Sequence, residues 1–212
     1  KVFSCASQMR KLTDPSKMDD GGDFYCALGW AFARGKDKPY EDYEKAGRIF
    51  FSCAGAAIYR REVFEKIGYF DEVHFAYLED LDVGYRARIF GYENRYEPKA
   101  IVYHMGSGTT GSRYNEFKVR YSARNNLYVV YKNMPALQLI LNLPFLLAGC
   151  IVKYFFFRKR DMGGEYLRGL KEAFPLMKKE KKAGFRPENF SHYLRIQLEL
   201  WGNIIRRVKE FR

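Results

Sequence analysis

The sequence is poor in the residues that cross-link small secreted proteins or hold structural metals. Its four cysteines (Cys5, Cys26, Cys53 and Cys150) show no CxxC spacing, and no histidine stands at a metal-ligand offset from them. We interpret the cysteines as small buried hydrophobic residues in a reducing compartment, the cytosol. This argues against a disulfide framework and against a zinc ribbon.

Further absences narrow the function classes. No GxGxxG that opens a helix and no GxxxxGKS is present, which argues against a dinucleotide site or a P-loop. The N-terminal KVFSCASQMRKL alternates like a strand, so it does not read as a signal peptide. The sequence also lacks an initiator methionine, and we expect the chain to begin inside a larger protein. Internal repeats and low-complexity tracts are absent as well.

The excess of positive over negative charge lies in the second half of the sequence. Residues 1–112 carry 16 basic and 17 acidic side chains, whereas residues 113–212 carry 21 basic and 8 acidic ones. The net charge of +12 therefore belongs to the second half. Such an asymmetry indicates a near-neutral zone of catalytic type and a basic zone that faces an anionic partner.

The pattern of apolar residues changes near residues 112–118. Before it, short strand-like runs alternate with turns, a short helix ends at Gly68, a second ends at Gly91, and a strand ends at His104. After it, the apolar period is helical and predicts four helices. The predicted fold class is α/β, followed by an amphipathic helical region.

Three carboxylates stand close together at Glu79, Asp80 and Asp82, where the second helix starts. Like charges at this spacing raise one another's pKa when they are buried, which favours a general base. Acids at a helix N-terminus also cap free N–H groups and complement the helix dipole without any catalytic role. Spacing alone favours the capping role.

His104 precedes a glycine-rich loop at residues 106–109. A strand end followed by such a loop is where α/β proteins bind ligands through backbone N–H groups. A single histidine before a turn is also a common structural feature, so this residue decides nothing alone.

Four segments carry a resemblance to a known family. They are CAGAAIYRREVFEKIGYFDE, FAYLEDLDVGYRARIFGY, PKAIVYHMGSGTTG and RNNLYVVYKNMP. In order and spacing they are similar to the second half of bacterial family 2 glycosyltransferases, and closest to rhamnosyltransferase-like members, over residues 1–135. The resemblance implies a partial GT-A-like, Rossmann-like domain in residues 1–114 and a basic, membrane-proximal helical region in residues 115–212.

The resemblance also implies residue roles in an inverting sugar transfer. Asp80, with Glu79 beside it, corresponds to the base that takes the acceptor's proton while a nucleoside diphosphate leaves the donor. His104 corresponds to the histidine that completes a divalent metal site, Mg or Mn, with an acidic DxD motif. Gly55 and Ala56 correspond to a small-residue bend that lies against the sugar.

Four more residues are candidate substrate contacts. Asp82 belongs to the acidic cluster, and Ser107 belongs to the glycine-rich loop. Arg120 and Arg124 either meet the donor diphosphate or cover a helix face, and the sequence favours neither role.

The nucleotide-binding first half of the family, which ends in the DxD motif, has no counterpart in this sequence. The acids of MDDGGD lie downstream of that position, and we interpret Asp19, Asp20 and Asp23 as turn formers. The chain is therefore predicted to carry base and acceptor elements without a complete donor site, and to be inactive by itself.

A stretch of 20 residues without charge lies between Lys132 and Lys153. It is just long enough for a hydrocarbon core of about 30 Å. Within it Pro135, Gln138, Asn142 and Pro144 favour a helix in the membrane interface, or one packed on the catalytic domain, over a spanning helix. We expect the basic helices to face anionic lipid, with a solvated basic face as the alternative.

The predicted function is transfer of a sugar, rhamnose among the candidates, from a nucleotide sugar to a glycan or lipid-linked acceptor. It would serve bacterial surface polysaccharide synthesis, in a cytoplasmic protein at the inner face of the plasma membrane. The alternative is a non-catalytic membrane-surface or glycan-binding module. Nucleic-acid binding is not predicted, because the charge lies on amphipathic helices and no nucleic-acid motif is present.

Overall fold

The computed structural model of the chain describes residues 1–106, 114–180 and 182–210. Within these ranges the strands lie in the first half and four of the helices lie in the second. The strands are β1 (Val2–Lys11), β2 (Met18–Asp20), β3 (Asp23–Cys26), β4 (Trp30–Ala33), β5 (Gly47–Ile49), β6 (Ala57–Tyr59) and β7 (Glu93–His104). The helices are α1 (Arg61–Ile67), α2 (Glu79–Ile89), α3 (Glu116–Asn133), α4 (Ala136–Arg158), α5 (Gly163–Lys179) and α6 (Phe190–Glu210).

The main sheet is organised around a parallel pair. β1 runs parallel to β7, and β5 lies antiparallel on the far side of β7. β2 and β6 both pair antiparallel with β1, while β3 and β4 form a separate hairpin. A parallel pair requires a long crossover, which here carries α1 and α2. The carboxyl ends of β1 and β7 therefore meet at Lys11 and His104.

The sequence predictions for the first half are confirmed at the level of elements. α1 is followed by Gly68 at φ 83° and α2 by Gly91 at φ 80°, a backbone region open to glycine at little cost. The strand ending at His104 and the four helices after Asn115 are also present. The result is a mixed α/β fold, compatible with an α/β glycosyltransferase-like architecture.

The helical second half shares its core with the sheet. The cluster that contains Phe50 and Tyr85 also takes Val129 from α3 and Ile196 and Leu200 from α6. The change in charge near residue 112 is therefore not accompanied by a break in the hydrophobic core.

Helix α4 is long and apolar enough to cross a membrane by length and composition. It buries Gln138, Asn142 and Gly149 against the protein, and most of its other side chains point outward. Asn142 and Gln197 of α6 exchange two hydrogen bonds of 2.8 and 2.9 Å. At Gly149 the helix backbone lies so close to Leu28 that an added Cβ would be 2.0 Å from the Leu28 carbonyl oxygen.

Helix α6 also carries an outward apolar face. The apolar residues Phe190, Tyr193, Leu194, Leu198, Trp201, Ile205 and Val208 recur at helical spacing, but apart from Tyr193 they face away from the core, which is filled by Tyr193, Ile196 and Leu200. The exposed members of the stripe are Phe190, Leu194, Leu198, Trp201, Ile205 and Val208. We call this set the outer stripe of α6. Exposed apolar patches of such length mark contact with a membrane or a partner.

A buried ion network joins α2 to α3. Asp82 is fully buried and accepts hydrogen bonds from Arg86 at 2.8 and 3.0 Å, from Lys132 at 2.9 Å and from Asn133 at 2.8 Å. The Lys132 ammonium also donates to Asp71 at 2.5 Å. One cation thus holds two carboxylates from different segments.

The network keeps its acids ionised. Burial raises the pKa of Asp71, but the hydrogen bond and charge of Lys132 outweigh it and lower that pKa to about 2. Burial is likewise outweighed at Asp82 by Arg86 and Lys132, so its pKa is also lowered. A depressed folded-state pKa stabilises the fold above the ordinary value of 3.8, and this contribution is lost as the pH falls toward 2.

We predict that Asp82→Ala destabilises the protein by about 3 to 5 kcal/mol, because it leaves Arg86 and Lys132 buried without their shared partner. Urea unfolding at pH 7 measures the change. Asp14→Ala is the control, since Asp14 forms an exposed pair with Lys17 that solvent screens, and its loss should change stability little. Equal losses in the two variants would contradict the importance of the network.

Candidate functional site

Two adjoining cavities lie at the carboxyl ends of β1 and β7. The first, of about 350 Å³, is lined by Asp20, Asp23, Gly55, Tyr77 and Asp80, among others. The second, of about 360 Å³, shares Asp20 and Tyr77 with the first and adds Asp19 and His104. Glu79 also lines the first cavity. The structure therefore brings together residues that stand far apart in the sequence.

Asp80 lines the first cavity and has a carboxyl group with a strongly shifted pKa. It opens α2, where its Oδ1 accepts from the backbone N–H of Leu81 at 2.8 Å and its Oδ2 from that of Ala54 at 3.3 Å. Burial, followed by the charge of Glu79, raises the pKa of Asp80 to about 7. A carboxylate with a pKa near neutrality is suited to accept a proton at physiological pH.

Asp20 and Asp23 form a second acidic group beside Asp80. The Asp20 Oδ1 accepts from the backbone N–H of Gly22 at 2.6 Å, so Asp20 does form a turn as predicted. Burial raises the pKa of Asp20 to about 6. Burial and the charges of Asp20 and Asp80 raise that of Asp23 well above its ordinary range. Together with the Cys53 sulfur, one oxygen of each acid lies within 4.8 Å of the others.

His104 is held by a carboxylate. Its Nδ1 lies 2.6 Å from Asp19 Oδ2, and the other oxygen of Asp19 accepts from Lys36 at 2.7 Å. Burial raises the pKa of Asp19, but these two hydrogen bonds outweigh it and leave that pKa lowered. A histidine whose Nδ1 is bonded to a carboxylate presents its Nε2 to a ligand, which is the usual arrangement for metal-binding imidazoles.

The small-residue bend forms a 3-10 turn at Ala54–Ala56, directly against Asp80. A Cβ added at Gly55 would meet nothing closer than the Cys53 sulfur at 3.6 Å, an ordinary contact. The fold itself therefore does not require glycine at this position. Ala56 contributes its carbonyl oxygen to Ser7 at 3.0 Å.

The loop before α2 has an unusual backbone. Phe75, Tyr77 and Leu78 have φ values of 59°, 70° and 66°, which cost about 1 to 3 kcal/mol each in residues with side chains. Helix α3 holds this loop in place. Asn125 Nδ2 donates to the carbonyls of residues 74, 76 and 77 at 2.7 to 2.9 Å, and Arg124 donates to those of residues 73 and 74.

Several residues that were predicted to contact the substrate are bonded to other parts of the protein. Asp82 lines neither cavity and is fully buried in the network with Lys132. Arg120 pairs with Glu172 of α5 at 2.9 Å. Arg124 clamps the loop before α2. Ser107 lies outside the described residues.

The sequence interpretation missed the position of Asp20 and Asp23 beside Asp80. Both were assigned to turns, yet they lie on β2 and β3 and line the same cavity as Asp80. The signal in the sequence was the Gly21-Gly22 pair between them, and in the structure Gly22 has φ 89° and would clash with Ile49 if it carried a Cβ. Because this tight turn joins β2 to β3, the acids on either side of it, Asp20 and Asp23, lie close together.

Comparison with known proteins gives a partial match to one kind of enzyme. No family model matches the chain. The N-acetylglucosaminyl-diphospho-decaprenol L-rhamnosyltransferase of Mycobacterium tuberculosis, in two strains, is 31% identical over 110 residues. This part of the chain is similar to a glycosyltransferase. The match covers 52% of the chain and 35% of the relative, so the chain spans about a third of the curated relatives it matches.

We predict that Asp80→Asn stabilises the protein above pH 7. The folded-state pKa of about 7 exceeds the ordinary value of 3.8, so wild-type stability falls as the pH rises between them. The gain is on the order of 2 kcal/mol at pH 8, after discounting for partial exposure, and vanishes near pH 4. Thermal unfolding of both proteins across this range measures it.

Asp14→Asn is the control for this pH series. Hydrogen bonds from Ser16 and Lys17 lower the pKa of Asp14, so the variant gains no stability as the pH rises. A pH-independent difference between Asp80→Asn and the wild type would show that Asp80 does not titrate near neutrality.

Proposed function

We propose that this chain carries the catalytic base and the acceptor elements of an inverting, family 2, GT-A-type glycosyltransferase. The observation that carries the proposal is Asp80, a carboxyl group with a pKa of about 7 in a cavity closed by a small-residue bend. The partial likeness to a rhamnosyltransferase supports it. The substrates are a nucleotide sugar and a glycan or lipid-linked acceptor, with rhamnose as the first donor sugar to test.

The proposed reaction transfers one proton, forms one bond and breaks another. An acceptor hydroxyl beside Asp80 gives its proton to the carboxylate as its oxygen bonds to the anomeric carbon. The bond from that carbon to the diphosphate oxygen breaks on the opposite face, so the configuration inverts. The charge of Glu79 contributes by raising the pKa of Asp80, which makes the carboxylate a stronger base.

The residues present fit a divalent metal, Mg or Mn. Asp20 and Asp23 would supply hard carboxylate oxygens to the ion, whereas the His104 ring is bonded to Asp19 and is not part of this ligand group. Burial raises the pKa of the Cys53 thiol, which therefore stays neutral and is a poor ligand for these ions. A bound cation would neutralise charge on the departing diphosphate.

We expect Asp80→Asn to lower sugar transfer by at least about 100-fold, because the amide cannot accept the proton. The longest open reading frame that encodes this chain is assayed with a panel of nucleoside-diphosphate sugars and a prenyl-diphosphate-linked N-acetylglucosamine. The matched control is Asp14→Asn, whose side chain lies on the surface. Full activity of Asp80→Asn would remove the assigned base, whereas no transfer by the wild-type protein would favour the non-catalytic, glycan-binding alternative.

We also propose that α4 and α6 lie on the inner face of the plasma membrane. The outer stripe of α6 and the outward side of α4 expose leucine, isoleucine and phenylalanine, while Arg195 and Lys209 are exposed on α6. Because one face of α4 is bonded to the protein through Gln138 and Asn142, an in-plane position agrees with its contacts. Exposed basic residues are attracted to anionic headgroups.

We predict that Leu194→Glu with Leu198→Glu reduces vesicle binding by at least about tenfold, because two apolar contacts are replaced by charges that anionic lipid repels. Flotation with phosphatidylcholine vesicles, with and without phosphatidylglycerol, measures it. Ile58→Glu is the control, as Ile58 is 75% exposed on β6. Failure of the wild-type protein to float with anionic vesicles would contradict membrane binding.

A further inference from the structure

Four aromatic rings cluster beside the Asp80 cavity. Phe75 and Tyr77 come from the loop before α2, and Phe117 and Tyr121 come from the first turns of α3. Their ring centroids lie 4.5 to 6.4 Å apart. Phe75 is 75% exposed, although its ring belongs to the cluster. We call these four residues the aromatic platform.

The platform is held rigidly rather than left as a loose surface patch. Phe75 and Tyr77 keep left-handed backbones because Asn125 bonds the loop carbonyls around them. The Arg124 guanidinium lies 4.4 Å from the centre of the Tyr121 ring and also bonds the same loop. Strained conformations that surrounding contacts over-determine are concentrated at ligand sites.

The platform is continuous with the proposed site. Tyr77 lines the cavity that contains Asp80, and Phe75 stands five residues before Asp80 in the chain. Glu79 lines the same cavity, and its Oε2 is buried with no hydrogen-bond partner among the described residues. Through Tyr77 the platform therefore borders the cavity that the Glu79 and Asp80 carboxylates line.

We propose that the aromatic platform binds the pyranose ring of the acceptor, a deepening that rests on the proposed function. A pyranose has an apolar face of C–H groups and a rim of hydroxyl donors. The C–H face suits the electron-rich face of an aromatic ring, and the hydroxyls suit the carboxylates of Glu79 and Asp80. Stacking on Phe75 orients the sugar so that one hydroxyl meets Asp80.

The test is pyranoside binding, measured by saturation-transfer NMR titration of the whole chain with methyl N-acetylglucosaminide and methyl rhamnoside. Phe75→Ala should weaken the better ligand roughly three- to tenfold, the range expected for one lost aromatic contact. Phe75→Trp should restore binding. Phe174→Ala, at a phenylalanine 56% exposed on α5, should bind as the wild type does. Thermal unfolding confirms that each variant is folded.

Three outcomes would overturn the platform. They are wild-type affinity in Phe75→Ala, an equal loss in Phe174→Ala, and vesicle flotation that depends on Phe75, which would assign the cluster to the membrane.

The proposed function is tested separately from the platform. If Asp80→Asn transfers sugar normally while Phe75→Ala still loses affinity, the platform stands as a glycan site and the base assignment falls. If Asp80→Asn is inactive and Phe75→Ala binds normally, only the platform falls.

Discussion

The placement of Lys132 between Asp71 and Asp82 is the interaction on which the site depends. A carboxylate as deeply buried as Asp82 is unstable without cations, and here Lys132 and Arg86 supply them. Because Lys132 belongs to α3 and Asp82 to α2, the network fixes the distance between these helices. Asp71 extends it to the segment that leads into α2. The orientation of α2, and hence of Asp80, follows from this network.

The acids of the molecule separate into two groups by their neighbours. Asp71, Asp82 and Asp19 each have a lysine or arginine within hydrogen-bonding distance, and their pKa values are lowered. Burial raises the pKa values of Asp80 and Asp20, and the charge of Glu79 adds to the effect at Asp80. In the first group, Asp71 and Asp82 join segments of the fold and Asp19 holds His104. The second holds protons near neutrality, which is the property that acid–base chemistry requires.

The sequence predicted the elements and part of the site, for reasons that can be stated. The family resemblance implied roles for Gly55, Asp80 and His104, and the structure brings these residues to two adjoining cavities. Asp82 was assigned to the same site because it has the same chemistry as Asp80. Two residues along an α-helix turn about 200°, so Asp80 and Asp82 face opposite sides of α2. One side faces the cavity, and the other faces the buried cations.

The remaining discrepancies arise from tertiary contacts that no local pattern contains. Asp20 and Asp23 become neighbours of Asp80 only through the sheet and the hairpin. The apolar stripe of α6 has the period of a core-facing helix, but the core is filled by a different face of the same helix. A helix with two apolar faces can pack either face on the core. Which face does so depends on the surfaces that the rest of the fold presents to it.

The contact at Gly149 also limits how this protein can vary. Since the α4 backbone touches the carbonyl of Leu28 in the turn between β3 and β4, even alanine would push the helix away from the hairpin. The Trp30 indole N–H, which donates to the Gly149 carbonyl at 3.2 Å, would lose its acceptor in the same movement. Position 149 is thus closed to substitution for steric reasons. In related sequences we expect α4 and the hairpin that begins with Asp23 to change position only together.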